Sequence, residues 1–234
     1  MINMLRDGST VKDKRLDRIQ EFDIRSRNYS IAKPERKKYR SYTWRCTTCL
    51  DQGKEGSCVG HGIAHELLAR PVEVKNITHT YAKENIYWEA QRKDQWKGGS
   101  YPGANPVYEG TSVLSGVKVA QSLGWFEEYR WAFSFEELIL GVGYNSPAVL
   151  GLKWYEGMGN TDKKGYITPT GKCVGGHCIL CNAVDIKNER LTLHNSWGKN
   201  WGINGECYIT FLDIIELLKN DGEAVFFIKH HNLT

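Results

Sequence analysis

Val59, Ile63 and Leu67 recur four residues apart, with Ala64 and Leu68 beside them, an apolar stripe that predicts a helix over 57–69. Ser57 is placed to cap it. Gly60 and Gly62 weaken such a helix by about 1 kcal/mol each relative to alanine, a cost tolerated where another backbone or a substrate must approach closely. A second helix is predicted over 78–93, with Tyr81, Ile86, Tyr87 and Ala90 available for burial, and a third over 111–123, ended by Gly124. Between them, 94–108 is rich in Gly, Pro and Asn and reads as a long surface loop. A short helical turn is expected over 135–140. From residue 148 the pattern changes to short apolar runs bounded by turn residues, predicting strands over 148–154, 177–185, 190–195, 206–211 and 224–229, with a short helix over 212–220. A helical half followed by a β half is an α+β arrangement, in which a cleft between two lobes is the natural site. The clusters Trp125-Phe126 and Trp131-Phe133-Phe135 are expected as interlobe core.

Composition changes this picture little. The 234 residues, 41% hydrophobic and 25% charged, suit one compact domain or two small lobes. No apolar run approaches the ~18 residues that span a bilayer, so no membrane association is expected. No apolar stretch near the start suggests a secretory signal, so the Asn-x-Ser/Thr triplets at Asn28, Asn76 and Asn232 carry little weight. The expected location is the cytoplasm of a bacterial or phage-infected cell, or a virion. Thiols are then expected to persist, and seven cysteines cannot all pair.

Charge divides the chain. Residues 1–50 hold 13 Lys and Arg against 6 Asp and Glu, whereas the remainder is net negative. A basic arm over 1–48 is therefore expected ahead of a domain over 49–234. It is densest from Lys33 to Arg40, where Pro34 argues against a helix. Such an arm can dock on an acidic partner. A solvated arm wrapped over the lobes is the simpler expectation, and no fold signature supports nucleic acid.

The candidate chemistry lies in three blocks. Cys58 at a helix start faces unsatisfied N–H groups and the positive end of the helix dipole, both of which favour the nucleophilic thiolate. Its own N–H and the Gln52 amide just upstream can hold the oxygen that becomes anionic in acyl transfer, where losing one donor costs about 100- to 1000-fold in rate. His177, placed at a strand entrance, can act as base, and the Asn195 amide can orient its ring. Trp197 can shield that bond and Trp201 brace the turn. His61 lies on the nucleophile's own helix, where the geometry for a base is poor. His61 and His65 lack the intervening glutamate of zinc peptidases. Cys46-x-x-Cys49 and Cys178-x-x-Cys181 have zinc half-site spacing, but residues three apart on a strand face opposite ways. No metal is expected. Cys173, Cys178, Cys181 and Cys207 are read as core thiols.

Asp51-Gln52-Gly53-x-x-Gly56-Ser57-Cys58, Gly176-His177-x-Ile179-Leu180 and Asn195-Ser196-Trp197-Gly198-x-x-Trp201-Gly202-x-x-Gly205 resemble the three signature blocks of papain-like cysteine peptidases. Glu109-Gly110-Thr111-Ser112-Val113 is a weaker match. The resemblance covers about residues 45–230. It implies a papain-like α+β fold, with a helical left lobe over about 49–140 and a β-barrel-like right lobe over about 141–234. It also implies Cys58 as nucleophile, His177 as base, Asn195 as orienter and Gln52 in the oxyanion hole. Gly56, Gly110, Gly151, Gly175, Gly176 and Trp197 are implied substrate contacts, the substrate being a protein or peptide and no cofactor being needed.

Position 55 is Glu where secreted members have a disulfide cysteine, and position 59 is Val rather than Trp. These departures resemble a compact prokaryotic or phage branch. The segment before Gln52 is too short and basic for a folded prodomain, although an arm lying in the cleft can serve the same end. A cell-wall amidase, isopeptidase or deamidase would share these residues. A non-catalytic phage structural or host-interaction module on the same fold is the other alternative.

Overall fold

The computed structural model describes residues 2–21, 23–32, 38–70 and 72–231. The densest part of the basic run, 33–37, lies outside the described residues. The N-terminal segment carries β1 (Asn3–Met4), β2 (Thr10–Val11), β3 (Arg18–Ile19) and, further on, β4 (Tyr42–Thr43). Next come α1 (Cys58–Leu68) and α2 (His79–Tyr81), which continues through a π-helical stretch, Ala82–Trp88, into α3 (Glu89–Lys93). Then follow β5 (Thr111–Ser112), α4 (Val113–Ser122), β6 (Phe126–Ala132), α5 (Phe135–Tyr144), β7 (Ala148–Tyr155) and β8 (Cys173–Asp185). The chain ends with β9 (Arg190–His194), β10 (Glu206–Thr210), α6 (Phe211–Lys219) and β11 (Glu223–His230).

The main sheet runs β10-β9-β8-β7-β11-β6, with β4 added to β8, and its pairings are antiparallel. Alternation along its central strands creates two cores. Val149, Leu180, Val225 and Phe227 face α1 and α4. Leu150, Leu152, Ile179 and Phe226 face α5 and the strands beyond. Burial on both faces explains why these strands read as nearly continuous apolar runs.

Helix α1 is buried along its whole length. Its glycines mark close approaches: a Cβ on Gly60 would fall 2.2 Å from the Ala82 carbonyl oxygen, and one on Gly62 2.6 Å from Cys178 Sγ. The expected Ser57 cap is not made; its backbone leaves the required geometry and its hydroxyl is buried and unpaired among the described residues.

Besides the two-residue strands β1 to β5, none of which was expected, two longer strands differ from expectation. β8 begins at Cys173, four residues before His177, because Val174-Gly175-Gly176, which reads as a turn, continues the ladder against β7. β6 was not foreseen, since Glu127, Glu128 and Arg130 mask its alternation at the sheet edge. Among the described residues, no helix is long and apolar enough to cross a membrane.

Candidate active site

Three distant segments meet at the N-terminus of α1. Cys58 is its first residue, fully buried. Its sulfur lies against the backbone N–H of Cys178, the residue after His177 on β8. His177 Nε2 lies 2.8 Å from Asn195 Oδ1, which also accepts the Ser196 N–H at 2.8 Å. With Oδ1 fixed as an acceptor, Nε2 carries the proton and Nδ1 is left basic. Nδ1 is buried and unpaired among the described residues.

Aromatic rings enclose this pair. Trp197 lies 5.0 Å and Trp154 4.7 Å from the imidazole, centre to centre. Trp154 is 1% exposed and walls the site from inside the protein. Trp201 packs on Trp197 and donates to the Gly159 carbonyl at 2.9 Å, bracing the turn.

The loop before Cys58 is tied to the Asn195 block. Gln52 N donates to the Ser196 carbonyl at 2.9 Å, and Ser196 Oγ donates to Gln52 Oε1 at 2.7 Å. Those bonds orient the Gln52 amide, whose Nε2 spends one hydrogen on the Glu55 carbonyl at 2.9 Å and keeps a second.

The cleft is filled by the chain's own N-terminal segment, not covered by a solvated arm. Asp17 bridges Gly176 of β8, Gly176 N donates to the Leu16 carbonyl at 3.3 Å, and β3 pairs in parallel with β5 on the opposite wall. Asp17 Oδ1 accepts the Cys58 N–H at 3.4 Å, while the Tyr87 hydroxyl donates to Oδ2 at 2.5 Å. The glycines implied as substrate contacts face this segment. A Cβ would meet Asp17 Oδ2 at 2.9 Å on Gly56, Ile19 Cδ1 at 2.7 Å on Gly110, Leu16 Cβ at 2.7 Å on Gly175 and the Arg18 carbonyl oxygen at 2.2 Å on Gly176. On Gly151 it would meet the Arg18 guanidinium at 2.8 Å. Arg15 covers Trp197, its guanidinium 4.3 Å from the ring centre.

The segment is anchored beyond the cleft. Arg6 is buried against Asp94 at 2.6 Å and donates to the carbonyls of Gln91, Trp96 and Gly110. Leu5, Val11 and Ile19 form a small apolar cluster with Trp96 packed on it. Among the described residues, Arg6, Arg15, Arg18 and Arg25 of the arm are paired with carboxylates within the molecule.

No protein-family model and no curated protein sequence matches this chain. Solved structures do. The chain is similar to xylellain, a cysteine protease from Xylella fastidiosa, with a TM-score of 0.74 and 17% identity over 94% of this chain and 98% of that one. It is similar to digestive procathepsin L2 proteinase from Tenebrio molitor (TM-score 0.56, 17% identity, 93% of this chain and 79% of that one). It is also similar to the bromelain protease from Ananas comosus (TM-score 0.52, 12% identity, 81% of this chain and 99% of that one). The fold is papain-like.

Within this papain-like fold, the filled cleft sets the local electrostatics. Burial pushes the Cys58 thiol well up, and the Asp17 carboxylate pushes it further, so the helix start does not yield a thiolate here. Burial lowers His177 to about 4, outweighing its bond to Asn195. Asp17 is raised to about 7, chiefly by burial and then by the Glu109 charge, against the Tyr87 hydrogen bond. With the arm in place, Cys58 and His177 are both neutral near pH 7.

His61 is fully engaged, Nδ1 with the Ser57 carbonyl and Nε2 with His79, each at 2.9 Å. His65 Nε2 accepts the Leu50 N–H at 2.9 Å. All seven cysteines are free, and among the described residues no group of three or more His, Cys, Asp or Glu is placed to hold a metal. Sequence reasoning missed Asp17, Arg18 and Glu223, and it gave Tyr87, expected only as a buried residue, and Glu109, in the weaker matching block, no contact with the arm. The one hint was apolar Leu5, Val11, Leu16 and Ile19 spaced through a charged stretch that a solvated arm would not need.

Proposed function

We propose that the chain is a cysteine peptidase acting on protein or peptide substrates. Cys58 attacks the scissile carbonyl and its proton passes to His177 Nδ1, leaving the ring held by Asn195 through Nε2. The Cys58 N–H and the remaining Gln52 Nε2 hydrogen receive the oxyanion. His177 then protonates the leaving amine, and water hydrolyses the Cys58 thioester. The observation that supports this reading is Asp17: one of its carboxyl oxygens accepts the Cys58 N–H within an extended segment threaded through the cleft, as the reacting oxygen of a substrate would. Substrate and arm compete for one space, so the arm must leave before turnover.

The test uses full-length protein carrying Leu5→Asp, which breaks the apolar anchor at the arm's far end. Quenched-fluorescence peptides should be cleaved, with an acyl adduct on Cys58 trapped by acid and seen by mass spectrometry. Both signals should vanish on adding Cys58→Ala or His177→Ala. A folded Leu5→Asp protein, with its arm open to added trypsin yet with no cleavage and no Cys58 adduct, would rule the reading out.

A further inference from the structure

Gln52 hangs on a stretch that makes no regular structure of its own. Residues 44–50 belong to neither helix nor strand, so their backbone groups need partners elsewhere. Two histidines supply them. His65, about two turns along α1 from Cys58, turns Nε2 to the Leu50 N–H at 2.9 Å. His194, the last residue of β9 and the neighbour of Asn195, turns Nε2 to the Thr48 carbonyl at 3.1 Å. The two rings meet edge to face, 4.5 Å between centres. The Leu50 carbonyl accepts the Gly198 N–H at 3.4 Å, and two residues on, the Gln52 N–H reaches Ser196.

The two rings have opposite protonation demands. His65 Nε2 accepts, so its proton sits on Nδ1, which is buried and unpaired among the described residues. An apolar side chain would fill this place without stranding a donor, but it would leave the Leu50 N–H unmet. His194 faces acceptors on both sides, the Thr48 carbonyl at Nε2 and Glu206 Oε1 at Nδ1, each at 3.1 Å, so it carries both protons. Asn182 Nδ2 donates to the same Glu206 oxygen at 2.8 Å and fixes the carboxylate. Burial, and then the neighbouring His194 and His61 rings, push His65 well below its ordinary value and keep it neutral. Burial opposes a charge on His194, but Cys46, Cys49 and Glu206 around it outweigh that and raise it.

Both ends of this clasp stand on elements that carry reacting groups: α1 starts with Cys58, and β9 leads into Asn195. We propose that His65 and His194 are positioning residues, which hold the backbone of 48–50 between α1 and β9 and so fix the Gln52 donor relative to Cys58. The effect on rate rests on the peptidase reading, but the clasp is testable without turnover.

Peptide cleavage is measured in the full-length Leu5→Asp protein. Adding His65→Leu should lower kcat by about 10- to 100-fold with KM within about 3-fold, because an oxyanion donor acts only in the transition state. His65→Gln, whose side-chain oxygen can accept the Leu50 N–H, should regain most of the loss. In a Gln52→Ala background, His65→Leu should cost less than about 3-fold more, since the donor it positions is gone. A full further loss there, or no recovery with glutamine, would mean general support of the fold and overturn the inference. Should His65→Leu not fold, His194→Leu is compared with His194→Gln, which keeps a donor for Thr48. Amide exchange reads the clasp without turnover. His65→Leu should lower protection of the Gln52 N–H at least about 10-fold more than that of β7 amides, and His65→Gln should restore it. Unchanged Gln52 protection would overturn the inference and leave the peptidase intact. Protection lost with leucine and restored with glutamine, with no peptide cleaved by any variant, would uphold the clasp and overturn the peptidase reading.

Discussion

Replacing Asp17 by asparagine should change how arm docking depends on pH. Asp17 moves from an ordinary value of 3.8 to about 7 when the arm is seated, with Tyr87, Glu109 and the Cys58 N–H as its polar neighbours. A raised value means that the neutral acid is the form that docks. Its contribution is complete below the ordinary value and is lost as pH rises through about 7. Between pH 5 and pH 8 the linkage relation gives a loss of about 2–3 kcal/mol, roughly 100-fold in the docking constant. His177 works against this: it is lowered to about 4 in the docked state, so its neutral ring favours docking as pH rises. The parent protein and the Asp17→Asn variant share that effect, and their ratio isolates the Asp17 carboxyl. The assay is amide exchange at Gly176, whose N–H is bonded to the Leu16 carbonyl, in a Cys58→Ala background and corrected for intrinsic exchange rates. The ratio of protection factors, parent over the Asp17→Asn variant, should fall roughly 100-fold from pH 5 to pH 8. A ratio that stays flat would refute the argument that burial of this carboxyl governs the latch.

Other consequences follow from the same contacts. Gly176→Ala places a Cβ against the Arg18 carbonyl oxygen, a backbone atom that cannot step aside, so added trypsin should cut the arm much faster than in the wild type; unchanged cutting would contradict the threading. Arg6→Ala strands the Asp94 carboxylate and the carbonyls that Arg6 serves, and chemical denaturation should show a loss of about 3–5 kcal/mol; a loss under about 1 kcal/mol would contradict a buried, paired Arg6. In native protein at neutral pH, iodoacetamide should modify exposed Cys173 before buried, neutral Cys58; labelling of Cys58 first, with the arm seated, would contradict the protonation states derived for the closed cleft.

The local devices of this fold are plain in the chain. Val59, Ile63 and Leu67 announce α1, and its glycines announce close approaches because a missing Cβ has no other use in a buried helix. The papain-like architecture and the meeting of Cys58, His177 and Asn195 blocks were legible because their short strings sit at element ends, where backbone geometry demands particular residues. β6 was hidden because an edge strand needs only one buried face and tolerates charge on the other. An arm in the cleft was one option open in the sequence, but the contacts that seat it were hidden for a deeper reason. Whether Asp17, Arg18 and Arg6 meet water or carboxylates is a property of partners far away in sequence: Cys58, Glu223 and Asp94. Periodicity and propensity report on neighbours along the chain. The closed cleft is made by long-range pairing of charges and backbone, which only the tertiary structure decides, because burial is what turns those charges from solvated groups into obligatory partners.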